Sequence, residues 1–79
     1  MGYASKILVT GGAGFIGHHL VSFLLKSTDA TIFIVDNIDG GKKEYIPDSP
    51  RVILFIESIL DESVIDIIFK KVRPDVVYH

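Results

Sequence analysis

A chain of 79 residues has room for one small domain, and folding at this size removes only about 60% of the unfolded surface from water. Its formal net charge of −2 and pI near 5.8 leave no basic field for nucleic acid, and the absence of cysteine excludes disulfides and thiolate metal sites while fitting a reducing compartment. Hydrophobic residues reach 48% and mean hydropathy +0.42, yet no apolar run approaches the roughly 18–20 residues of a membrane span.

The opening residues, MGYASK, carry no apolar signal segment. Lys6 stands where a myristoylation sequence has Ser or Thr. A cytoplasmic chain without a membrane partner is therefore expected. Residues 6–10, KILVT, read as a first strand that runs directly into four glycines. Gly12, Gly14 and Gly17 satisfy G-x-G-x-x-G, while Gly11, Gly14 and Gly17 satisfy G-x-x-G-x-x-G. Strand, glycine turn and helix in that order make the start of a dinucleotide-binding βαβ unit. A glycine just after the strand permits a positive-φ turn. A Cβ at Gly14 would block a pyrophosphate from the backbone, and Gly17 lets the helix lie close to the sheet. The helix N-terminus then offers free N–H groups and the positive end of its dipole to the phosphates. The bland alternative is a tight turn with no ligand.

The helix is expected over residues 15–27, with Ile16, Leu20, Phe23 and Leu24 as its apolar stripe and Ser27-Thr28-Asp29 as its break. Residues 31–35, TIFIV, read as a buried second strand. Asp36 ends it, 19 residues after Gly17, where a carboxylate accepts hydrogen bonds from the adenosine ribose and repels a 2′-phosphate. That favours NAD over NADP, although Lys42 and Lys43 in the next loop keep a 2′-phosphate open as an alternative. Residues 37–50 are a polar loop, with one helical turn at residues 42–45. A third strand follows at residues 52–56. The next helix has Asp61 as N-cap and Glu62 in its first turn. Its stripe is Ile65, Ile68, Phe69 and Val72, and Pro74 stops it. A fourth strand begins at Asp75-Val76-Val77-Tyr78-His79.

The pattern β-α-β-loop-β-α-β means an α/β fold with a parallel sheet and right-handed crossovers. Strand order 3-2-1-4 follows, the N-terminal part of a Rossmann-type doubly wound sheet. Residues 1–79 are accordingly expected to be the N-terminal half of a dinucleotide-binding domain. Other constellations are weaker. His18 and His19 are adjacent, so on a helix they point about 100° apart, and His79 lies on another element; a metal site is not expected. Asp61, Glu62 and Asp66 suit capping and solvation. Ser22, Ser58 and Ser63 lack a nucleophile motif, and no G-K-[ST] closes the glycine run.

Thr10-Gly11-Gly12-Ala13-Gly14-Phe15-Ile16-Gly17, followed by Val35-Asp36-Asn37 and Val76-Val77-Tyr78-His79, resembles the extended short-chain dehydrogenase/reductase superfamily. Within it the chain is similar to the NAD-dependent sugar-nucleotide epimerases and dehydratases, UDP-sugar 4-epimerases above all. The resemblance implies NAD as cofactor and a nucleotide sugar as the parent enzyme's substrate. It implies pyrophosphate contacts from Gly11, Gly14, Phe15, Ile16 and Gly17, largely through backbone. It puts Asp36 and Asn37 on the adenosine ribose, with Asp39, Gly40 and Gly41 along the same edge. Where the family has Asp-Ile or Asp-Leu at the adenine, this chain has Ser58-Ile59.

The family's Tyr-x-x-x-Lys pair is missing: Tyr3 is followed four residues on by Ile7, Tyr45 by Ser49, and Tyr78 has almost no chain after it. No catalytic residue is therefore assigned, the catalytic and substrate parts are expected to be absent, and the 79 residues should be inactive alone. In the parent enzyme the resemblance implies hydride transfer from a sugar carbon to NAD and back. Two other readings stand beside this one. The chain is a stand-alone nucleotide-binding or assembly module, pairing with itself or with a complementing C-terminal half, or it is a remnant with no ligand.

Overall fold

Two apolar strands sit at the centre of the fold because they are covered on both faces. The computed structural model describes residues 5–11, 14–37, 43–57 and 62–78. The elements are β1 (Lys6–Thr10), α1 (Phe15–Ser27), β2 (Thr31–Asp36), a single 3-10 turn (Lys43–Tyr45), β3 (Val52–Ile56), α2 (Glu62–Val72) and β4 (Val76–Tyr78). All four strands are parallel, in the order β3-β2-β1-β4. This is the expected doubly wound arrangement. The path β1-α1-β2 steps one way across the sheet and β3-α2-β4 steps back the other way. Right-handed crossovers therefore put the two helices on opposite faces.

The strand period of two divides the core accordingly. Ile7, Val9, Ile32 and Ile34 pack with Val21 and Leu24 of α1. Leu8 and Val35 pack with Ile68 and Val72 of α2, joined by the half-buried Ile65 and Phe69. The α2 stripe is thus the expected one. The α1 stripe is so only in part: Leu20 and Leu24 face the core, and Ile16 and Phe23 do not. Its buried residues are Val21 and Leu24, flanked by Leu20 and Leu25, whereas Ile16 is 83% and Phe23 64% exposed. Apolar residues occupy two overlapping stripes of this helix, so the 3.6-residue period alone does not choose between them. Packing on β1 and β2 selects the one that contains Val21.

α1 ends where Thr28 turns back on it: the Thr28 N–H and hydroxyl both donate to Leu24 O, at 3.0 and 2.7 Å. Arg51, just before β3, completes the cap from a distance. Its guanidinium donates to Thr28 O at 2.7 Å, Ala30 O at 3.1 Å and Leu25 O. A cation at the carbonyl end of a helix also opposes its dipole. Arg51→Met, which keeps the stem and removes these donors, is expected to cost about 1–3 kcal/mol. Urea denaturation followed by circular dichroism checks it; an unchanged midpoint would remove Arg51 from the cap.

At the other helix, Arg73 takes φ 52°, the left-handed position that commonly closes a helix, and its N–H donates to Phe69 O at 2.8 Å. Asp75 then fixes the register of β4. Its N–H donates to Lys6 O at 2.7 Å, and its carboxylate accepts from the Lys6 N–H at 2.9 Å. The Lys70–Asp66 ion pair, 3.0 Å apart, is exposed and adds little.

Candidate functional site

The carboxyl ends of β1 and β2 carry the glycine turn and Asp36 side by side. Thr10 and Val35 are register partners, and the next residue, Gly11, donates its N–H to Val35 O at 2.8 Å. That bond ties the turn to the strand end immediately before Asp36. Asp36 is a buried acidic residue, 7% exposed, and its carbonyl accepts from the Glu57 N–H at 3.1 Å. Asn37 follows in the open.

Gly11 and Gly14 are glycines for different reasons. Gly11 has φ +73°, and a Cβ there would meet nothing within 4 Å, so its demand is conformational. Gly14 has ordinary extended torsions, φ −75° and ψ 170°. Among the described residues a Cβ there would meet only Gly11 O, at an ordinary 3.4 Å. Neither its torsions nor its packing among the described residues requires glycine at position 14. Gly14 is also the N-cap of α1. It has no side chain to satisfy the helix N–H groups, and the first turn carries no acidic residue. Its carbonyl accepts the first helical bond, from the His18 N–H at 2.9 Å. The dipole end and its N–H groups are therefore available to an anion. A cleft of about 240 Å³ lies beside them, lined by Thr10, Gly11, Ile16, Gly17, Leu20 and Tyr78 among others.

The structure thus brings Gly11, Gly14, Ile16, Gly17 and Asp36 to one end of the sheet, with the backbone of Phe15 between Gly14 and Ile16. Asp39, Gly40, Gly41, Ser58 and Ile59 lie outside the described residues, as do Gly12, Asp61 and His79. Among the described residues no group of three or more metal-binding side chains occurs. The adjacent histidines do not diverge as helical spacing implies: their ring centroids are 4.1 Å apart, tilted by 33°. His18 also stacks on Tyr45 at 4.5 Å and 25°, a contact that nothing in the local sequence signals. No described helix is long and apolar enough to cross a membrane.

Residues 7–79 match the NAD dependent epimerase/dehydratase family. The chain belongs to that family. Among relatives, the dTDP-glucose 4,6-dehydratase of Neisseria meningitidis serogroup B is 38% identical over 78 residues, which is 94% of this chain and 22% of that protein. Among solved structures, the UDP-glucose 4-epimerase of Thermotoga maritima with UDP-glucose has a TM-score of 0.84 at 40% identity, over 94% of this chain and 23% of that one. The Bordetella bronchiseptica enzyme WbmG in complex with NAD has a TM-score of 0.86 at 30% identity, over 99% and 25%. The chain therefore spans about a quarter or less of the length of these family members. NAD is the cofactor of the epimerase/dehydratase family, and the described residues suit a dinucleotide: a helix N-terminus with no side-chain cap bond from its N-cap residue, and a glycine there whose missing Cβ answers to no described neighbour and no torsion.

Proposed function

We propose that residues 1–79 are the N-terminal half of a dinucleotide-binding domain and supply the adenosine and pyrophosphate sites of an NAD-dependent sugar-nucleotide enzyme. A UDP-sugar 4-epimerase is the leading activity of the parent, with 4,6-dehydration next, since relatives of both kinds are similar to this chain. The observation that carries the reading is Gly14, a glycine that no described neighbour and no torsion requires, at the N-terminus of α1. When bound, the nicotinamide ring accepts and returns a hydride. The work of this chain is to hold the other end of the cofactor.

The backbone of Gly11, Gly14, Phe15, Ile16 and Gly17 takes the pyrophosphate, with the helix dipole opposing its charge. Asp36 and Asn37 take the ribose hydroxyls, with Asp39, Gly40 and Gly41 along that edge, and Ser58-Ile59 at the adenine. Groups that move protons are not assigned to these residues, which lack Tyr-x-x-x-Lys.

Asp36→Ala tests the ribose assignment. Loss of a carboxylate accepting ribose hydroxyls is expected to raise the NAD Kd by about ten- to a hundredfold. NADP affinity should change far less, because removal of the negative charge relieves repulsion of its 2′-phosphate. Calorimetric titration with both nucleotides measures the ratio, and an unchanged ratio removes Asp36 from the site. A second reading, an assembly module without catalysis, is favoured by the exposed Val76, Val77 and Tyr78 along the outermost strand. Indifference to both nucleotides, together with self-association by sedimentation, is the outcome that selects it.

A further inference from the structure

β3 is the outermost strand on one side of the sheet, and its free edge is regular. In its pairing with β2, the Ile32 N–H donates to Arg51 O at 2.7 Å and the Glu57 N–H donates to Asp36 O at 3.1 Å. The inward-bonding residues are therefore Arg51, Ile53, Phe55 and Glu57. Val52, Leu54 and Ile56 alternate with them and aim their N–H and C=O groups away from the sheet. Of these groups the Val52 N–H is taken up within the chain, by Ser49 O at 3.1 Å. The strand, VILFI, holds none of the charges, prolines or bulges that usually blunt an edge. Ile53 is 41% and Ile56 56% exposed. On the α2 face beside this edge lies a groove of about 270 Å³, lined by Phe55, Val64, Ile67 and Ile68 together with Glu57 and Lys71. α2 runs back against the strand direction, so Lys71 lies toward the amino end of β3 and Glu57 at its carboxyl end.

We propose that this edge binds a second copy of the same chain, β3 against β3 and antiparallel, about a two-fold axis through Leu54. The strand is self-complementary in that register. Leu54 faces its own copy, Val52 faces Ile56, Ile53 faces Phe55, and Glu57 faces Arg51. The outward groups then meet each other: Leu54 exchanges N–H and C=O bonds with the partner's Leu54, and the Ile56 N–H donates to the partner's Val52 O. Ile53 and Phe55 make a β-branched and aromatic cross-strand pair on the α2 face, and Val52 and Ile56 close the other face. The axis also carries each Glu57 to the end of the seam where Arg51 and Lys71 hold positive charge. Among the described residues neither Glu57 nor Lys71 has an ion-pair partner within its own chain. A slip of two residues would set Glu57 against Ile53 or Ser49 and lose that match. Such a contact is isologous and closes on itself, so it makes a dimer and nothing larger.

Sedimentation velocity across the micromolar range, with NMR on a mixture of labelled and unlabelled chain, tests this. The wild-type chain is expected to show a monomer–dimer equilibrium. In the mixed sample the Ile53 and Phe55 α-protons of different copies should give a nuclear Overhauser contact. One strand alone cannot give it, because residues two apart lie about 7 Å from each other along the strand. Ile56→Pro removes an outward donor and no bond to β2. It should keep a dispersed spectrum and raise the dimer Kd at least about tenfold, since the two-fold loses the bond twice. Glu57→Lys sets like charges together at both ends of the seam. It should raise the dimer Kd about three- to tenfold, and more at low salt than at high. If Ile56→Pro fails to fold, Glu57→Lys and the α-proton contact decide the matter. A chain that stays monomeric, a series of larger species, or a dimer that either folded variant leaves as tight as wild type overturns the proposal. None of these readouts involves a nucleotide, so the dinucleotide reading stands or falls separately.

Discussion

Gly14→Val is expected to leave the chain folded while its affinity for NAD falls by at least about a hundredfold, the equivalent of two lost charge-assisted hydrogen bonds. The two halves of this result come from the same geometry. With φ −75° and ψ 170°, position 14 sits in the extended region that a β-branched residue prefers. Among the described residues the added Cβ finds only Gly11 O, at 3.4 Å. The fold thus has little reason to object. The N-terminal N–H groups of α1, however, are usable only while the space over them stays open to phosphate oxygens, and an isopropyl group fills it. Melting temperature and NAD titration on the same sample read the two halves separately. Undiminished affinity in a folded variant would end the phosphate assignment. A collapse of the fold would show that Gly14 answers to packing after all. Gly11 behaves differently: its φ of +73° is paid for by the fold itself, whatever is bound.

Leu8→Ala is expected to have the largest effect on stability, about 2–5 kcal/mol. Leu8 is fully buried at the middle of β1, against Val35 on one side and Ile68 and Val72 of α2 above. A chain of this length has roughly 4–12 kcal/mol to lose in all. The substitution therefore removes a large share of the total and should lower the melting temperature by more than about 10 °C. Differential scanning calorimetry measures it. A shift of only a few degrees would mean that α2 does not cover this face of the sheet as described.

Much of this architecture is legible in the residues, and the exceptions have a common cause. Strands 6–10 and 52–56 stand out as apolar runs between turn residues; two-sided burial explains the run in β1, whereas β3 has no buried residue and leaves Ile53 and Ile56 exposed. The strand order is that of the doubly wound fold to which the strand–glycine turn–helix pattern points. The α2 stripe is legible because its other face is charged, with Glu62, Asp66, Lys70 and Lys71. The α1 stripe is not, because Ile16 and Phe23 are as apolar as Val21 and Leu25, and only the sheet tells them apart.

The same division runs through the site. The glycine spacing and the place of Asp36 are local signals. The reason for Gly14 is visible only by elimination in three dimensions, once its torsions and neighbours are known. The Arg51 cap reaches back 21 to 26 residues, and the His18–Tyr45 stack crosses a loop. Partners that meet only through folding leave no periodic trace in the chain.

The paired hydrogen bonds between Lys6 and Asp75 close a loop of 69 residues, and this bears on how the protein is made. β1 leaves the ribosome before β2 and β3, and one of its two neighbours, β4, follows only after α2. β2 and β3 can join it in turn, building three strands on one side, while its other edge waits for residues 75–78. Throughout that interval the N–H and C=O groups along Ile7–Val9 face outward from an apolar strand, the kind of edge that recruits a second nascent chain. Long loop closure also makes the last pairing the slow one. A strand flanked on both sides in the folded chain is thus, during synthesis, an exposed border.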